Sequence, residues 1–381
     1  MSFLDSFDTG KGISLYIHVP FCLSKCAYCA FYSRSGCTDE MMDAYSRRLL
    51  DEISLVNDYM EGKAFETAFI GGGNPGCLGP ERLGRIAQAV CRNGRPSEFS
   101  VEMNPESLDE SFFPLFGQYF TRLSMGVQSL DETALSFLGR NADKKSTKRG
   151  LELSQKLKGQ TGCVLSYDLI TCLGPWHDEL SDVRQLVSDY PSDHLSVYAL
   201  TLEEGTPLCN RRPHLPSEDE QYEILGRIWN YLAEKGYEHY EVSNFAKEGK
   251  RCAHNCRYWA YEQYLGLGPA AASTAFSEDG SVHRFSFSPD VESYAKNGGL
   301  TGYETENLSA REAVEELVLM GLRFKGGLDL ERLEKMAGKH IDRIIFNGLE
   351  GFRIIQNRLV PDDRGLMVAD AAASAILDAL Y

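Results

Sequence analysis

Tyr16-Ile17-His18-Val19-Pro20-Phe21-Cys22-Leu23-Ser24-Lys25-Cys26-Ala27-Tyr28-Cys29 carries the fold and the chemistry in one stretch. Just before and into it, Ile13, Leu15, Ile17 and Val19 alternate with Ser14, Tyr16 and His18, which predicts a strand. At the carboxyl end of that strand stand Cys22, Cys26 and Cys29. Three thiolates so close in sequence can hold three corners of an iron–sulfur cubane. The fourth iron is then left open, as a catalytic zinc keeps a position that a structural zinc closes. A zinc knuckle would show two paired Cys-x-x-Cys elements, and here there is one, Cys26/Cys29. Cys37 is a distant fourth thiol, beyond Arg34 and Gly36.

Outward from this stretch the chain alternates strands and helices. A helix opens at Thr38-Asp39-Glu40 with a capping residue and an acidic first turn, and carries Met42, Tyr45, Leu49, Ile53 and Val56 on one stripe. Strands are predicted at Thr67–Ile70, Phe99–Met103, Arg122–Val127, Cys163–Ile170 and His194–Leu200. Helical patterns lie near 80–94, 107–118, 131–157 and 178–190. Six β-then-α units predict an α/β fold with a parallel sheet, a partial (β/α)6 TIM-like barrel. The unusual polar and glycine residues collect at strand ends, where such folds place their sites. These are Gly71-Gly72-Gly73, then Glu102 with Asn104, Gln128, Asp168, and Tyr198 with Thr201.

These residues suit a nucleotide joined to an amino acid. Glycines let a backbone approach a ligand closely. Arg140 can fork onto a carboxylate, and Glu102 and Asp168 can accept from ribose hydroxyls or an amine. Past residue 201 the rhythm breaks, with a helix at 217–235 and short extended pieces. From Ser309, helices near 309–322, 328–337 and 341–350 precede a hairpin at Phe352–Pro361 and a last helix, a small winged-helix-like C-terminal domain. The division expected is 1–210 for the barrel, 211–305 for an extension and 306–381 for the terminal unit.

The net charge of −16 disfavours nucleic acid and anionic membranes as partners. From Ser309 onward ten Lys/Arg stand against twelve Asp/Glu, so the terminal unit is a poor DNA binder as well. No window has the length of an apolar membrane span, and no secretory signal is evident, so a cytoplasmic protein is expected. The 11 cysteines read as metal ligands and small core residues, not disulfides.

Tyr16 to Cys22 with its following cysteines, Phe69 to Gly73, Glu102-Met103-Asn104-Pro105, Arg122 to Ser129 and Leu138-Gly139-Arg140 together resemble the radical S-adenosylmethionine enzymes. So do His194 to Tyr198, Leu202 to Pro207, Tyr240 to Phe245 and Tyr264 to Pro269, all in the manner of the oxygen-independent coproporphyrinogen oxidase branch. The resemblance implies a [4Fe-4S] cluster on Cys22, Cys26 and Cys29, whose open iron chelates S-adenosylmethionine and whose electron cleaves its sulfonium. It implies Tyr16 and Tyr28 beside that cofactor and Gly72 and Gly73 at its methionyl end. Glu102, Gln128, Arg140 and Asp168 then complete the pocket.

Within the branch, the oxidases carry a cysteine two residues after the third ligand. Here Phe31 stands there, as in HemW-type heme chaperones. The His-Asn-x-x-Tyr-Trp string of that subgroup is intact as His254-Asn255-Cys256-Arg257-Tyr258-Trp259. The resemblance implies heme bound through His254, acceptor hemoproteins, an electron donor and a chain compatible with a homodimer. The residues alone allow two other readings of the segment. His254 can pack a structural loop with Tyr258 and Trp259, or join Cys252 and Cys256 around a metal. No catalytic residue is assigned; S-adenosylmethionine cleavage is implied, and the rivals are porphyrinogen decarboxylation and a binding module with a structural cluster. Asn74, Asn141-Ala142, Thr171 to Pro175 and Ala270-Ala271-Ala272 depart from the branch's pattern, chiefly on the substrate side.

Overall fold

The computed structural model describes residues 3–277 and 280–381. Six strands run in chain order: β1 Ser14–Val19, β2 Thr67–Gly72, β3 Glu98–Met103, β4 Arg122–Gln128, β5 Val164–Thr171 and β6 His194–Ala199. Each pairs in parallel with the next. The order never reverses, so every right-handed crossover steps the same way and the helices gather on one face. A doubly wound sheet needs a switch point, and none occurs among these six. The result is the predicted partial barrel. Its outer layer includes the helices Asp39–Tyr59, Gly79–Val90, Lys144–Thr161 and Glu179–Asp189. They bury residues such as Leu49, Ile86, Leu151 and Val183 against the sheet.

The sheet continues beyond the barrel. Strands β7 Glu238–Glu241 and β8 Asn244–Ala246 add antiparallel to β6. On the other flank β9 Tyr264–Leu267 runs parallel to β1, followed by antiparallel β10 Ala272–Phe276, β11 Val282–Phe287 and β12 Tyr303–Leu308. Twelve strands form one sheet. The terminal residues hold a second core around Val314, Leu317, Leu330, Leu359 and Ile376. It is built from helices Ala310–Leu322, Leu330–Ala337 and Ala369–Leu380 on the small sheet of β13 Leu328–Asp329, β14 Phe352–Ile355 and β15 Arg358–Pro361.

Three expected elements differ. The helix read through 131–157 is two, Glu132–Phe137 and Lys144–Thr161. The break includes Gly139, whose φ is +67°, and an added Cβ there would stand 2.8 Å from the Cβ of Ala27. The pattern near 107–118 condenses to two 3₁₀ turns and the short helix Phe113–Gln118, and that near 341–350 to one turn, Arg343–Phe346.

Candidate functional site

The inward side chains of the barrel strands are polar where a closed TIM barrel would carry branched apolar layers. Ser124, Ser166 and His194 stand level on β4, β5 and β6, with Asp168 and Ser196 above them. Such a lumen is built to hold polar groups, and it contains two cavities.

The upper cavity, about 450 Å³, lies at the carboxyl ends of the strands. Its walls include Cys22, Cys26, Cys29, Tyr28, Gly72, Gly73, Glu102, Gln128, Arg140 and Asp168. The volume lies within the roughly 300–1,000 Å³ common for small-molecule sites. Tyr16 and His254 do not reach it. They line a lower cavity of about 240 Å³, which shares Glu102 and Asp168 with the upper one.

The cysteine loop is fixed at both ends. At its base Cys22 N–H donates to Arg34 O (3.0 Å) and Arg34 N–H to Pro20 O (2.7 Å). At its tip Ala27 N–H donates to Leu138 O (2.9 Å) and Ala27 O accepts from Leu208 N–H (2.8 Å). Ala27 is buried there with Leu138, Leu173 and Leu200 in a small apolar cluster of its own. The Leu138-Gly139-Arg140 string therefore does two jobs: its first two residues seat the loop and its third enters the cavity.

The glycine triplet is shaped by what crosses it. Gly73 N–H donates to Val19 O (2.8 Å), and a Cβ on Gly73 would meet Phe21 O at 2.6 Å and Cys22 Sγ at 3.0 Å. Gly72 has φ +107°, and a Cβ there would strike the His18 ring at 2.6 Å. Asn74 is buried and ties the loop to its neighbour, donating to Ser107 Oγ (2.6 Å) and accepting from Asn104 N–H (3.3 Å). That departure from the branch's pattern is thus accommodated structurally.

Charge in the cavity is arranged around two carboxyls and one guanidinium. Burial, with the nearby Asp168 charge, pushes Glu102 up to about 8, while Gly72 N–H donates to its Oε2 (3.1 Å). Burial raises Asp168 to about 6 against the hydroxyls of Ser196 and Ser124. Arg140 gives Nη2 to Gly126 O (2.7 Å), and Nη1 to Asn104 Oδ1 (3.3 Å) and Cys26 Sγ (3.6 Å). Its buried Nε has no hydrogen-bond partner among the described residues. Gln128 sits at φ +67° beside a register shift in β4, a strained backbone of the kind found at ligand sites.

The three thiols line one cavity without converging on a point. Among the described residues no three His, Cys, Asp or Glu side chains gather as ligands of a single ion do. A cubane is wider than one ion and needs its thiolates apart, so the set fits a cluster better than zinc. Cys37 is not on the cavity wall; its thiol lies 3.9 Å from Arg34 O. Burial pushes Cys22 up to about 11 and raises Cys29, so without a metal these two are neutral thiols.

At the opposite, amino end of the strands the helix Ala253–Trp259 closes the floor. Glu98, the first residue of β3, accepts from Ala253 N–H (3.1 Å), His254 N–H (3.1 Å) and Cys252 Sγ (3.3 Å). Arg122, the first residue of β4, bonds Glu98 through Nη2 (2.9 Å) and Nε (3.1 Å). Its Nη2 also reaches Lys250 O (3.0 Å) and Arg251 O (2.8 Å). The His254 ring is buried, with Nδ1 on Thr67 Oγ1 (2.8 Å) and Nε2 on Tyr258 OH (2.9 Å). Burial lowers its pKa to about 4, so the ring is neutral. Cys252 Sγ turns to Glu98, and among the described residues Cys252, His254 and Cys256 form no metal-ligand group. Sequence reasoning missed this Glu98–Arg122 clamp; its signal was a charged residue opening each of two inward-alternating strands. It also passed over His18, whose Nδ1 accepts from Tyr16 OH (3.0 Å) and whose Nε2 donates to Tyr32 O (2.8 Å).

A sequential parallel partial barrel with a thiol loop and a glycine turn at its carboxyl mouth defines a cofactor-binding α/β-barrel protein. The model of the radical SAM superfamily matches residues 16–186. The chain is 31% identical to heme chaperone HemW of Lactococcus lactis, over 93% of this chain and 92% of that protein. It is 32% identical to the mitochondrial radical S-adenosyl methionine domain-containing protein 1 of Bos taurus, over 96% and 86%. The solved structure of Escherichia coli coproporphyrinogen III oxidase HemN, a radical SAM enzyme, covers 98% of this chain and 92% of its own, with TM-score 0.77. At 19% identity that likeness speaks for the fold alone. The chain belongs to the HemW family of the radical SAM superfamily.

Proposed function

We propose that the chain carries a [4Fe-4S] cluster on Cys22, Cys26 and Cys29, takes S-adenosylmethionine beside it, and binds heme for delivery to acceptor hemoproteins. The observation that carries the first two parts is the upper cavity: apart from Tyr16, every residue expected for cluster and cofactor lies on its wall. Bound there, the cluster and S-adenosylmethionine together supply one-electron cleavage of a sulfonium. The chain's own residues bind and orient. Gly73 leaves room beside Cys22 that any side chain would fill. The free Nε of Arg140 offers a charged donor to a carboxylate. Glu102, largely uncharged near neutral pH when the cavity lacks a cation, ionises against an amine, and Glu102 and Asp168 can both accept from hydroxyls. Ala27, Leu138 and Leu200 keep water from the loop's underside.

The heme part is supported by the family and by the intact motif at the barrel floor. In the closed floor both ring nitrogens of His254 are engaged, so coordination through Nε2 requires Tyr258 to let go. Bacterial HemW relatives and thiolate ligands that need a reducing compartment support the cytoplasm. Among the described residues no helix is long and apolar enough to cross a membrane. An electron donor completes the reading.

The test has three arms. Anaerobic reconstitution gives about four irons and four sulfides per chain, lost on replacing Cys22, Cys26 and Cys29 by alanine. Reductant plus S-adenosylmethionine yields 5′-deoxyadenosine. Heme binds the wild type with a spectrum that His254→Ala changes. A protein that takes zinc and no iron, or heme spectra identical in both proteins, refutes the corresponding part. Release of carbon dioxide from coproporphyrinogen would replace the chaperone reading with the oxidase one.

A further inference from the structure

Arg122 does more than hold the floor. Its Nε and Nη2 are engaged by Glu98, Lys250 O and Arg251 O. Nη1 is buried with no hydrogen-bond partner among the described residues. The side chain is 3% exposed, and it lines the lower cavity. A charged donor buried in this way is costly unless a ligand supplies the acceptor. The same level of the lumen holds a second such group. Ser100 of β3 is in register with Arg122 of β4. Alternation puts it on the face that Glu98 and Glu102 share, and its buried hydroxyl also has no partner among the described residues.

The charges around this level leave room for an anion. Glu98 occupies one edge of the guanidinium, through Nε and Nη2, and Nη1 lies on the other. The carboxyls on the described cavity wall are Glu102 and Asp168. Glu102 is held up to about 8 and is uncharged near neutral pH. Asp168 pairs in register with Gly126, two inward positions above Arg122, and accepts from Ser124 Oγ (3.3 Å). The imidazoles of His194 and His254, on the same wall, are kept neutral by burial.

We infer that the lower cavity receives a propionate of the heme, with Arg122 Nη1 as its charged donor. The inference rests on the heme reading above and adds the group by which the heme is recognised. The volume, about 240 Å³, suits a side arm, being below the roughly 300–1,000 Å³ of sites that enclose a whole ligand. His254 lines this cavity too, so the iron ligand of that reading and the carboxylate donor open onto one space. Tyr258, which holds His254 Nε2 (2.9 Å) and lines the same wall, swings aside for coordination and thereby widens the space on the floor side.

The test titrates cluster-loaded full-length protein with heme and with heme dimethyl ester, whose propionates are uncharged. Wild type is expected to bind heme about tenfold or more tightly than the ester. Glu98→Ala retains Arg122 and keeps that preference. Adding Arg122→Met removes the donor and brings the two affinities within about twofold of each other. Arg122→Lys, which keeps a cation beside Glu98 but has one nitrogen for both tasks, narrows the preference and guards against a double variant that does not fold. A loosened floor weakens acid and ester alike, so their ratio reports recognition apart from stability. Equal binding of acid and ester by wild type, or a preference that survives both Arg122 changes, overturns the propionate site and leaves the heme reading standing. Wild type that carries its cluster yet takes up no heme overturns both.

Discussion

Replacing Glu98 by alanine removes the acceptor on which the barrel floor hangs. In the folded chain the Glu98 side chain is 12% exposed and that of Arg122 3%. Despite the desolvation that burial imposes, Arg122 and the amides of His254 and Ala253 hold the Glu98 carboxyl below its ordinary range. Glu98→Ala strands a buried guanidinium and two backbone N–H groups at once. Breaking a buried pair on one side costs about 3–5 kcal/mol, a large share of the ~5–15 kcal/mol that holds a typical domain together. Urea denaturation should show that loss. Hydrogen exchange should place the accompanying loosening at residues 250–259, the first five of which Glu98 and Arg122 bind directly. Arg122→Met on top of Glu98→Ala removes the stranded charge and should restore part of the stability, a coupling that a double-mutant cycle reads. A single mutant within about 1 kcal/mol of wild type, or a double mutant worse than the sum of the singles, refutes the clamp.

Other consequences follow from the same geometry. Glu52 and Glu241 are held up to about 7, and Glu102 up to about 8, chiefly by burial. Folding therefore binds protons between their ordinary range and these values, and stability falls as pH rises from 5 to 8. His254, lowered to about 4, acts in the opposite sense below its ordinary 6.5 and offsets only part of the slope. Urea midpoints at pH 6 and 8 check this, the higher being at pH 6, with the difference reduced in Glu102→Gln; a higher midpoint at pH 8 would contradict it. Gly73→Ala forces the cysteine loop off Phe21 O and Cys22 Sγ, so the variant should fold with unchanged circular dichroism yet retain markedly less iron; full iron loading would show that the loop yields freely. Arg140→Met should weaken S-adenosylmethionine binding by about tenfold with the cluster intact, read by calorimetry on reconstituted protein.

The barrel was legible because its strands obey two rules at once. Apolar residues such as Leu15 and Ile17 alternate with inward polar ones, and glycine or polar punctuation marks each strand's carboxyl end. The predicted strand bounds are within two residues of those found. The flanking strands were not legible, since β8 has three residues and β9 four, too few for a period to register. Their place is set by pairing with distant partners, as when Leu265 lies against Leu15. Gly139 was visible but was read as a site motif within a continuous helix, although its seat against Ala27 ends that helix. The upper cavity was recoverable from strand-end residues because a parallel barrel collects them. The floor was not, because whether His254 faces solvent or Thr67 depends on a helix docking between strands that enter from elsewhere in the chain.

The long sheet stops at β12, whose Glu304 and Glu306 lie exposed beside Ser286 and Arg284 of β11. A second copy approaching edge to edge would bring these carboxylates against their own counterparts, with no cation on that strand to offset them. Uncapped β edges invite runaway polymerisation, and paired acidic side chains are one of the ways chains refuse it. The flank that makes this barrel wider than its six-strand core thus also discourages further growth of the sheet at that edge.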